Sequence, residues 1–258
     1  MSIVGANRFD DVIVLVTGAA QGIGFETARN FASLGATVWL ADINDESLRS
    51  SVERIGAGCR SFVGDLADDV TRTALMRSIE ERDGRLDVLV NNAGPSTADP
   101  RAHESFVYGI GASLGMYGAM CRLAIPLMSG QQFASIVNVA SIAGMVGLGS
   151  DWYASAKAGT VGLTVRLAVE LGPVGIRVNA VAPGVIATPR TVHMATSARE
   201  ALEEAVPLRR MGTAQDVAQV ICFLASGAAS YVTGCVIKVD GGLECAPAWS
   251  GSNPAAIA

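Results

Sequence analysis

A tyrosine and a lysine, Tyr153 and Lys157, stand four positions apart in the sequence Tyr-Ala-Ser-Ala-Lys. Residues at i and i+4 of a helix lie on one face, about one turn apart, so these side chains would be neighbours. A free tyrosine phenol has a pKa of about 10, and a nearby ammonium favours its phenolate form. The pair could therefore accept and donate a proton at a reacting oxygen. Because most such pairs are ordinary helix neighbours, the assignment depends on the rest of the sequence.

A glycine-rich segment from Thr17 to Gly24 follows the first apolar run of the chain. Glycines at a strand-to-helix junction let the backbone approach a pyrophosphate, and the helix N-terminus favours negative charge. Asp42 lies 18 positions beyond Gly24, at the end of the second apolar run. A carboxylate there can accept hydrogen bonds from the adenosine ribose and repel a 2′-phosphate. The spacing predicts a dinucleotide site that prefers NAD to NADP, formed by Gly18, Gln21, Gly22, Ile23, Gly24 and Asp42.

Two further residues, Asp65 and Leu66, follow the third apolar run. Asp65 has two interpretations that the sequence leaves open, namely recognition of the adenine and capping of the next helix. We include both residues in the predicted cofactor site.

The elements that would position these residues alternate between apolar runs of strand length and longer segments of helical periodicity. The predicted strands are 12–16, 37–41, 61–64, 88–91, 135–139, 177–182 and 236–239. The predicted helices are 23–34, 45–55, 69–82, 106–128, 153–171 and 214–225. Buried strands that are each followed by a helix indicate a parallel sheet covered on both faces. We therefore predict an α/β fold, a single doubly wound Rossmann-type domain over 1–258 with about seven parallel strands, a substrate lid at 189–210 and a tail at 246–258.

The bulk composition excludes several classes of protein. Of the 258 residues, 50% are hydrophobic, and the net charge of −5 without a basic run argues against a nucleic-acid surface. The chain shows no signal-peptide pattern, and its first apolar run is too short to span a membrane. Its five cysteines form no CxxC pair and its two histidines stand alone, so we expect reduced thiols, no metal site and a cytoplasmic protein.

Further motifs follow the glycine-rich loop in order, namely Asn91-Asn92-Ala93-Gly94, Ser141, the Tyr153/Lys157 pair, Asn179 and Pro183-Gly184. Together they resemble the short-chain dehydrogenase/reductase family over about residues 8–245. The resemblance implies that Asn92, Ala93 and Gly94 shape the floor of the cofactor site. It also implies that the nicotinamide is contacted by Pro183, Gly184, Ile186 and Thr188, with Thr188 placed to bond the carboxamide.

The resemblance also gives the catalytic residues their roles. Tyr153 would be the acid/base, and Lys157 would stabilise its phenolate and hold the nicotinamide ribose. Ser141, directly after the fifth predicted strand, would hydrogen-bond the substrate oxygen and orient it toward Tyr153. The alternative for Ser141 is an ordinary turn serine.

One position departs from the family pattern. The family's fourth catalytic residue is an asparagine that helps to bend a helix and holds a water linking the lysine to solvent. Counting back from Pro126 places Ser113 at this position, and the chain has no asparagine between Asp99 and Gln132. A serine hydroxyl can still hold a water, and the neighbouring Gly111 and Gly115 permit a distorted helix. The alternative is an impaired proton relay.

These features predict an NAD-dependent short-chain alcohol dehydrogenase or ketone reductase. The segments expected around the substrate, 93–96, 142–149 and 189–206, are mostly apolar, which favours a neutral secondary alcohol or ketone, with a cyclic alcohol, diol or polyol as candidates. Similar family members commonly form homotetramers. A second hypothesis is an NAD-binding sensor or scaffold with impaired catalysis because of Ser113. A third, reduction of a carbon–carbon double bond, is disfavoured because related enoyl reductases space their tyrosine and lysine further apart.

Overall fold

A seven-stranded, entirely parallel sheet forms the centre of the computed structural model, which describes residues 8–96, 99–131, 134–146, 148–189, 191 and 195–246. The strands of this sheet are β1 (Ile13–Thr17), β2 (Thr37–Asp42), β3 (Cys59–Val63), β4 (Val88–Asn91), β5 (Ser135–Val139), β6 (Arg177–Pro183) and β9 (Val236–Val239). A separate pair, β7 (Ile186–Ala187) and β8 (Gly212–Thr213), forms a small second sheet. The predicted seven parallel strands are confirmed, whereas the second sheet was not predicted.

The helices occupy both faces of the large sheet. They are α1 (Gly22–Ser33), α2 (Asp45–Ile55), α3 (Asp69–Asp83), α4 (Pro100–Glu104), α5 (Phe106–Ile110), α6 (Met116–Met128), α7 (Ala143–Val146), α8 (Asp151–Leu171), α9 (Thr196–Ala205) and α10 (Ala214–Ala225). A π-helical turn, Gly111–Gly115, joins α5 to α6. The predicted lid 189–210 contains a helix, α9, and the tail beyond 246 lies outside the described residues.

Local signals explain where several helices begin. The Asn44 side chain accepts a hydrogen bond from the Ser47 amide at 2.9 Å, and the Asp68 carboxylate accepts one from the Thr71 amide at 2.8 Å. These side chains satisfy amide groups that have no partner within the first turn of α2 and of α3. At the other end of α1, Gly35 adopts a φ of +101°, a conformation that favours glycine and ends the helix.

The core has two layers because successive side chains of a strand point to opposite faces. On one face Val14 and Val16 pack with Phe31 of α1 and Ile221 of α10. On the other face Leu15 belongs to a cluster that includes the fully buried residues Leu75, Ile79, Tyr117 and Met120. Burial on both faces explains why the strands are continuous apolar runs without polar alternation.

The continuous stretch Phe106–Met128 is long and apolar enough, by length and composition alone, to cross a membrane. Core helices pass the same test. The complete burial of Tyr117 and Met120 identifies this stretch as part of the core.

The strand order β3-β2-β1-β4-β5-β6-β9 reverses direction between β1 and β4. In doubly wound sheets this reversal opens a crevice beyond the carboxyl ends of the strands.

The buried side chain of Thr17 connects β1 and β4 at this reversal by hydrogen bonds. The Thr17 hydroxyl donates to the Val90 carbonyl at 3.2 Å and accepts from the amides of Asn92, at 3.0 Å, and Ala93, at 3.1 Å.

Replacing Thr17 with valine tests this junction, because valine keeps the branched shape but removes the oxygen. Two amide groups then lose their acceptor, and we expect Thr17→Val to lower the free energy of unfolding by about 1–3 kcal/mol. Urea-induced unfolding provides the measurement. Thr17→Ser is the matched control, because it keeps the hydroxyl and removes a single methyl group. A serine variant as unstable as the valine variant would contradict the assigned role.

Candidate active site

A cavity of about 680 Å³ opens at the carboxyl ends of the strands, beside the reversal of strand order. It has the size of a typical small-molecule or cofactor site. All but one of the residues predicted for the site line it, namely Gly18, Gln21, Gly22, Ile23, Asp42, Asp65, Leu66, Asn92, Ala93, Gly94, Ser113, Ser141, Tyr153, Lys157, Pro183, Gly184, Ile186 and Thr188. The exception is Gly24, which lies behind the wall.

Close backbone packing explains Gly24. A Cβ atom added there would lie 2.1 Å from the Gly18 carbonyl oxygen and 2.7 Å from Nδ2 of Asn92. The Asn92 amide in turn donates to the carbonyls of Thr17, at 2.9 Å, and Gly18, at 3.0 Å. Glycine at position 24 therefore lets α1 approach the glycine-rich loop closely. Gly24 supports the loop from behind and is not itself part of the cavity wall.

The loop fits the phosphates of a dinucleotide on two grounds. Gly18 and Gly22 have φ values of +66° and +58°, conformations that glycine adopts readily. In addition, the N-terminus of α1 has no side-chain cap from Gln21 and no acidic residue in its first turn. Side chains cap α2 and α3 instead. The first amides of α1 are thus available to an anion.

Asp42 is held in place at the end of β2 by two backbone amides. Its Oδ2 accepts from Ala20 and its Oδ1 from Asn44, each at 3.0 Å. The carboxylate therefore has a fixed position at the wall of the cavity, where the predicted adenosine ribose would bind.

The two interpretations of Asp65 are separated by the structure. Asp68, not Asp65, caps α3. Asp65 accepts from the Ala67 amide at 2.9 Å and lines the cavity together with Leu66. Capping of the helix is therefore wrong for Asp65, and adenine recognition stays a prediction.

The tyrosine and lysine of the motif lie on α8, with Tyr153 in the first turn of the helix. Lys157 is 7% exposed, and its Nζ lies 5.7 Å from the centre of the Tyr153 ring. The ammonium donates to the Val139 carbonyl, at the end of β5, at 2.7 Å. Ser141 lies two residues after the end of β5 and is 8% exposed, and its Oγ accepts from the Ala143 amide at 3.1 Å. The structure thus brings a phenol, an ammonium and a hydroxyl to one end of the cavity.

Ser113 lies in the middle of the π-helical turn that Gly111 and Gly115 delimit. The distortion expected from these two glycines is therefore present. Ser113 is 2% exposed, and a Cβ atom added at Gly94 would lie 3.9 Å from its Oγ. The serine thus contacts the region of the predicted cofactor floor, at the position where the family has asparagine.

The cavity residues that the sequence analysis missed include Asp99, Arg101 and Tyr108. The Arg101 guanidinium donates to the Asp99 carboxylate at 3.0 Å and lies 4.9 Å from the centre of the Tyr108 ring. The hydrogen bond from Arg101 holds the pKa of Asp99 below its usual range, and burial raises the pKa of Tyr108. The pair Asp99-Pro100 was the available signal, because an aspartate cap followed by proline is typical of a helix start.

The predicted nicotinamide end is bounded by Thr188, whose amide donates to the Thr191 hydroxyl at 2.9 Å. A Cβ atom at Gly22 would lie 3.5 Å from Cγ2 of Thr188, so the threonine faces the glycine-rich loop. Residues 190 and 192–194 of the predicted lid lie outside the described residues. In the part of the chain that the structure describes, no group of three or more His, Cys, Asp or Glu side chains is placed to hold a metal ion.

Comparisons with known proteins identify the family. A family model described as "Enoyl-(Acyl carrier protein) reductase" matches residues 18–244. The chain is 42% identical to 3-oxoacyl-[acyl-carrier-protein] reductase FabG of Thermotoga maritima over 244 residues, covering 92% of this chain and 99% of that protein. It is 39% identical to cis-4-hydroxycyclohexanecarboxylate dehydrogenase of Sinomonas cyclohexanicum, covering 91% and 97% of the two chains. It is 36% identical to levodione reductase of Leifsonia aquatica, covering 93% and 96%.

Solved structures agree with the sequence relatives. A short-chain dehydrogenase/reductase from Brucella melitensis, described as a glucose/ribitol dehydrogenase, superposes with a TM-score of 0.85 at 33% identity, covering 92% of this chain and 98% of that one. The chain therefore belongs to the short-chain dehydrogenase/reductase family.

Proposed function

We propose that this oxidoreductase transfers a hydride between NAD(H) and a neutral secondary alcohol or its ketone, with Tyr153 as the acid/base. One observation carries the proposal. Tyr153, Lys157 and Ser141 line the same cavity as the glycine-rich loop and Asp42. A proton-transfer group and a dinucleotide site in one cavity are the two requirements of alcohol oxidation by a nicotinamide cofactor.

The chain's own residues divide the remaining work of the reaction. A bound nicotinamide supplies the hydride acceptor or donor. Ser141 hydrogen-bonds the substrate oxygen and orients it, and Tyr153 takes the hydroxyl proton in oxidation or donates a proton in reduction. The positive charge of Lys157 favours the phenolate of Tyr153. Ser141 and Lys157 are largely buried, which strengthens their electrostatic interactions in the cavity.

The preference for NAD is supported by the fixed carboxylate of Asp42. Its neighbours in the cavity wall, Ala41, Ile43 and Asn44, are uncharged. A 2′-phosphate at the adenosine ribose would meet the negative charge of Asp42 without a compensating cation from these neighbours. The two hydroxyls of an unphosphorylated ribose would instead donate to that carboxylate.

The substrate class is supported by the apolar side chains around the predicted substrate end, which include Ile142, Leu148, Trp152, Val185 and Pro189. The names of two relatives favour a ring in the substrate, since one is a levodione reductase and another a cis-4-hydroxycyclohexanecarboxylate dehydrogenase. We therefore propose a cyclic alcohol or ketone as the first substrate class to test, with diols and polyols next. The 3-oxoacyl reductase among the relatives adds a 3-oxoacyl thioester as a competing class.

The proposal extends to a cytoplasmic homotetramer. Exposed apolar side chains lie on α5, at Val107, and on α8, at Val165 and Val169. The edge strand β9 has one neighbour in the sheet, β6. Such surfaces suit close packing between subunits.

A substrate screen tests the proposed activity. We expect the purified protein to reduce NAD with at least one cyclic secondary alcohol, diol or polyol, measured as NADH absorbance. Tyr153→Phe should lower kcat about 10²–10⁴-fold, because it removes the acid/base but keeps the ring. Its affinity for NAD should stay nearly unchanged, as measured by calorimetry. Reduction of an acetoacetyl thioester by NADH or NADPH tests the competing substrate class, the 3-oxoacyl thioesters. If the protein binds NAD but turns over none of these compounds, the proposed activity is wrong.

Asp42→Ala tests the cofactor preference. We expect the affinity for NAD to fall about 10- to 100-fold, since hydrogen bonds to a charged group are lost, and the ratio of NADP to NAD affinity to rise. Asp45→Ala is the matched control. Asp45 is a nearby carboxylate that pairs with Arg49 at 2.7 Å and does not line the cavity, so its loss should leave cofactor affinity nearly unchanged. An unaltered preference in Asp42→Ala would refute the assignment.

Ser113→Asn separates a working enzyme from the sensor or scaffold hypothesis, which the serine at position 113 favours. If the serine serves in the relay, restoring the family's residue should change kcat by less than about tenfold, equivalent to about 1.4 kcal/mol. Steady-state kinetics with the substrate found in the screen give the answer. A much larger gain in kcat would show that catalysis is impaired in the natural chain.

A further inference from the structure

The Lys157 ammonium lies between two tyrosine rings. Its Nζ is 5.7 Å from the centre of the Tyr153 ring on α8 and 5.2 Å from the centre of the Tyr117 ring on α6. The proposed function uses the first ring and leaves the second without a role. Tyr117 is fully buried, although its hydroxyl makes burial costly unless it is hydrogen-bonded.

Tyr117 shares its hydrogen-bond acceptor with the lysine. The Tyr117 hydroxyl donates to the Val139 carbonyl at 3.4 Å, and Lys157 Nζ donates to the same oxygen at 2.7 Å. The ammonium also lies 3.5 Å from the Tyr117 hydroxyl oxygen, which can accept a hydrogen bond from it. The three groups therefore form a closed triangle at the carboxyl end of β5, two residues before Ser141.

We propose that Tyr117 is a positioning residue of the proton-transfer centre, holding the Lys157 ammonium beside Tyr153. The inference rests on the proposed function for its catalytic meaning. Tyr117 lies four positions after Ser113, on the helical stretch from which the family's asparagine would act. It supplies to the ammonium a hydroxyl acceptor and an aromatic face.

The physical reason is the burial of the lysine. An ammonium has three N–H donors, and one that is 7% exposed needs acceptors from the protein to remain charged. The Val139 carbonyl is the short contact, and the Tyr117 hydroxyl and ring add two weaker ones that favour the same position. Two phenols thus face the ammonium, from α6 and from α8, and on β5 its neighbour is a backbone carbonyl. A charge held there lies beside the Tyr153 ring, 5.7 Å from its centre.

Tyr117→Phe tests the hydroxyl, because it keeps the ring. The readout is the ultraviolet difference titration of tyrosinate in the NAD-bound protein, assigned to Tyr153 by subtracting the same titration in a Tyr153→Phe background. We expect the midpoint to move to higher pH by about half a pH unit or more, since a less firmly held ammonium stabilises the phenolate less. Tyr117→Leu removes the ring as well and should move the midpoint of the titration further to higher pH.

Two variants control for general damage to the helix. Cys121 lies one turn further along α6 than Tyr117 and is equally buried. Its replacement in Cys121→Ala perturbs the packing of the helix but should leave the midpoint of the Tyr153 titration in place. In a Lys157→Met background, Tyr117→Phe should add no further movement, because a residue that acts through the lysine has no effect without it. Thermal unfolding of each variant confirms that it is folded.

The inference would be overturned if Lys157→Met moves the midpoint of the Tyr153 titration and Tyr117→Phe does not. It would also be overturned if Cys121→Ala moves that midpoint as much as Tyr117→Phe does. This titration needs no substrate, so its outcome is independent of the alcohol screen. If no alcohol is oxidised but the midpoint moves as expected, the proposed function fails and the role of Tyr117 stands.

Discussion

The close approach of α1 to the end of β1 is the constraint on which the cofactor half of the cavity depends. Gly24 leaves no room for a side chain between the helix and the Gly18 carbonyl. The Asn92 amide closes this contact by donating to the carbonyls of Thr17 and Gly18. A single set of hydrogen bonds thereby joins the glycine-rich loop to the end of β4, across the point where the strand order reverses. The uncapped N-terminus of α1 borders the cavity, where Gly22 and Ile23 are part of the wall.

The other half of the cavity depends on the end of β5, where one carbonyl and one hydroxyl have different tasks. The Val139 carbonyl accepts from Lys157, and Ser141, two residues later, lines the cavity. Because α8 packs beside this strand, the phenol of Tyr153 and the hydroxyl of Ser141 reach the same region from two rigid elements. Sites built on helices and strand ends hold reacting groups more precisely than sites built on loops.

Much of this arrangement could be predicted from the sequence, because it follows from local rules. Apolar runs gave the strands, and strand ends of a parallel sheet lie at one edge, so Asp42 and Ser141 were expected in one crevice. The residues that were missed act through tertiary contacts. Arg101 reaches the cavity only because α4 turns it toward Asp99, and Tyr117 looks like an ordinary core aromatic until α8 brings an ammonium to it. The pairing of β7 with β8 likewise joins segments that are far apart in the chain.

Ser113 shows that two tasks attributed to the family's asparagine are physically separable. The helix distortion is present without an asparagine, and it lies between Gly111 and Gly115, whose lack of side chains permits an irregular turn. The second task, holding a water that links the lysine to solvent, differs from direct contact with the buried ammonium, whose neighbours include the Val139 carbonyl and the Tyr117 hydroxyl. The holding of this water by Ser113 stays a prediction, for which the serine hydroxyl has the required donor and acceptor. The distortion of the helix, by contrast, is present with a serine in the asparagine's place.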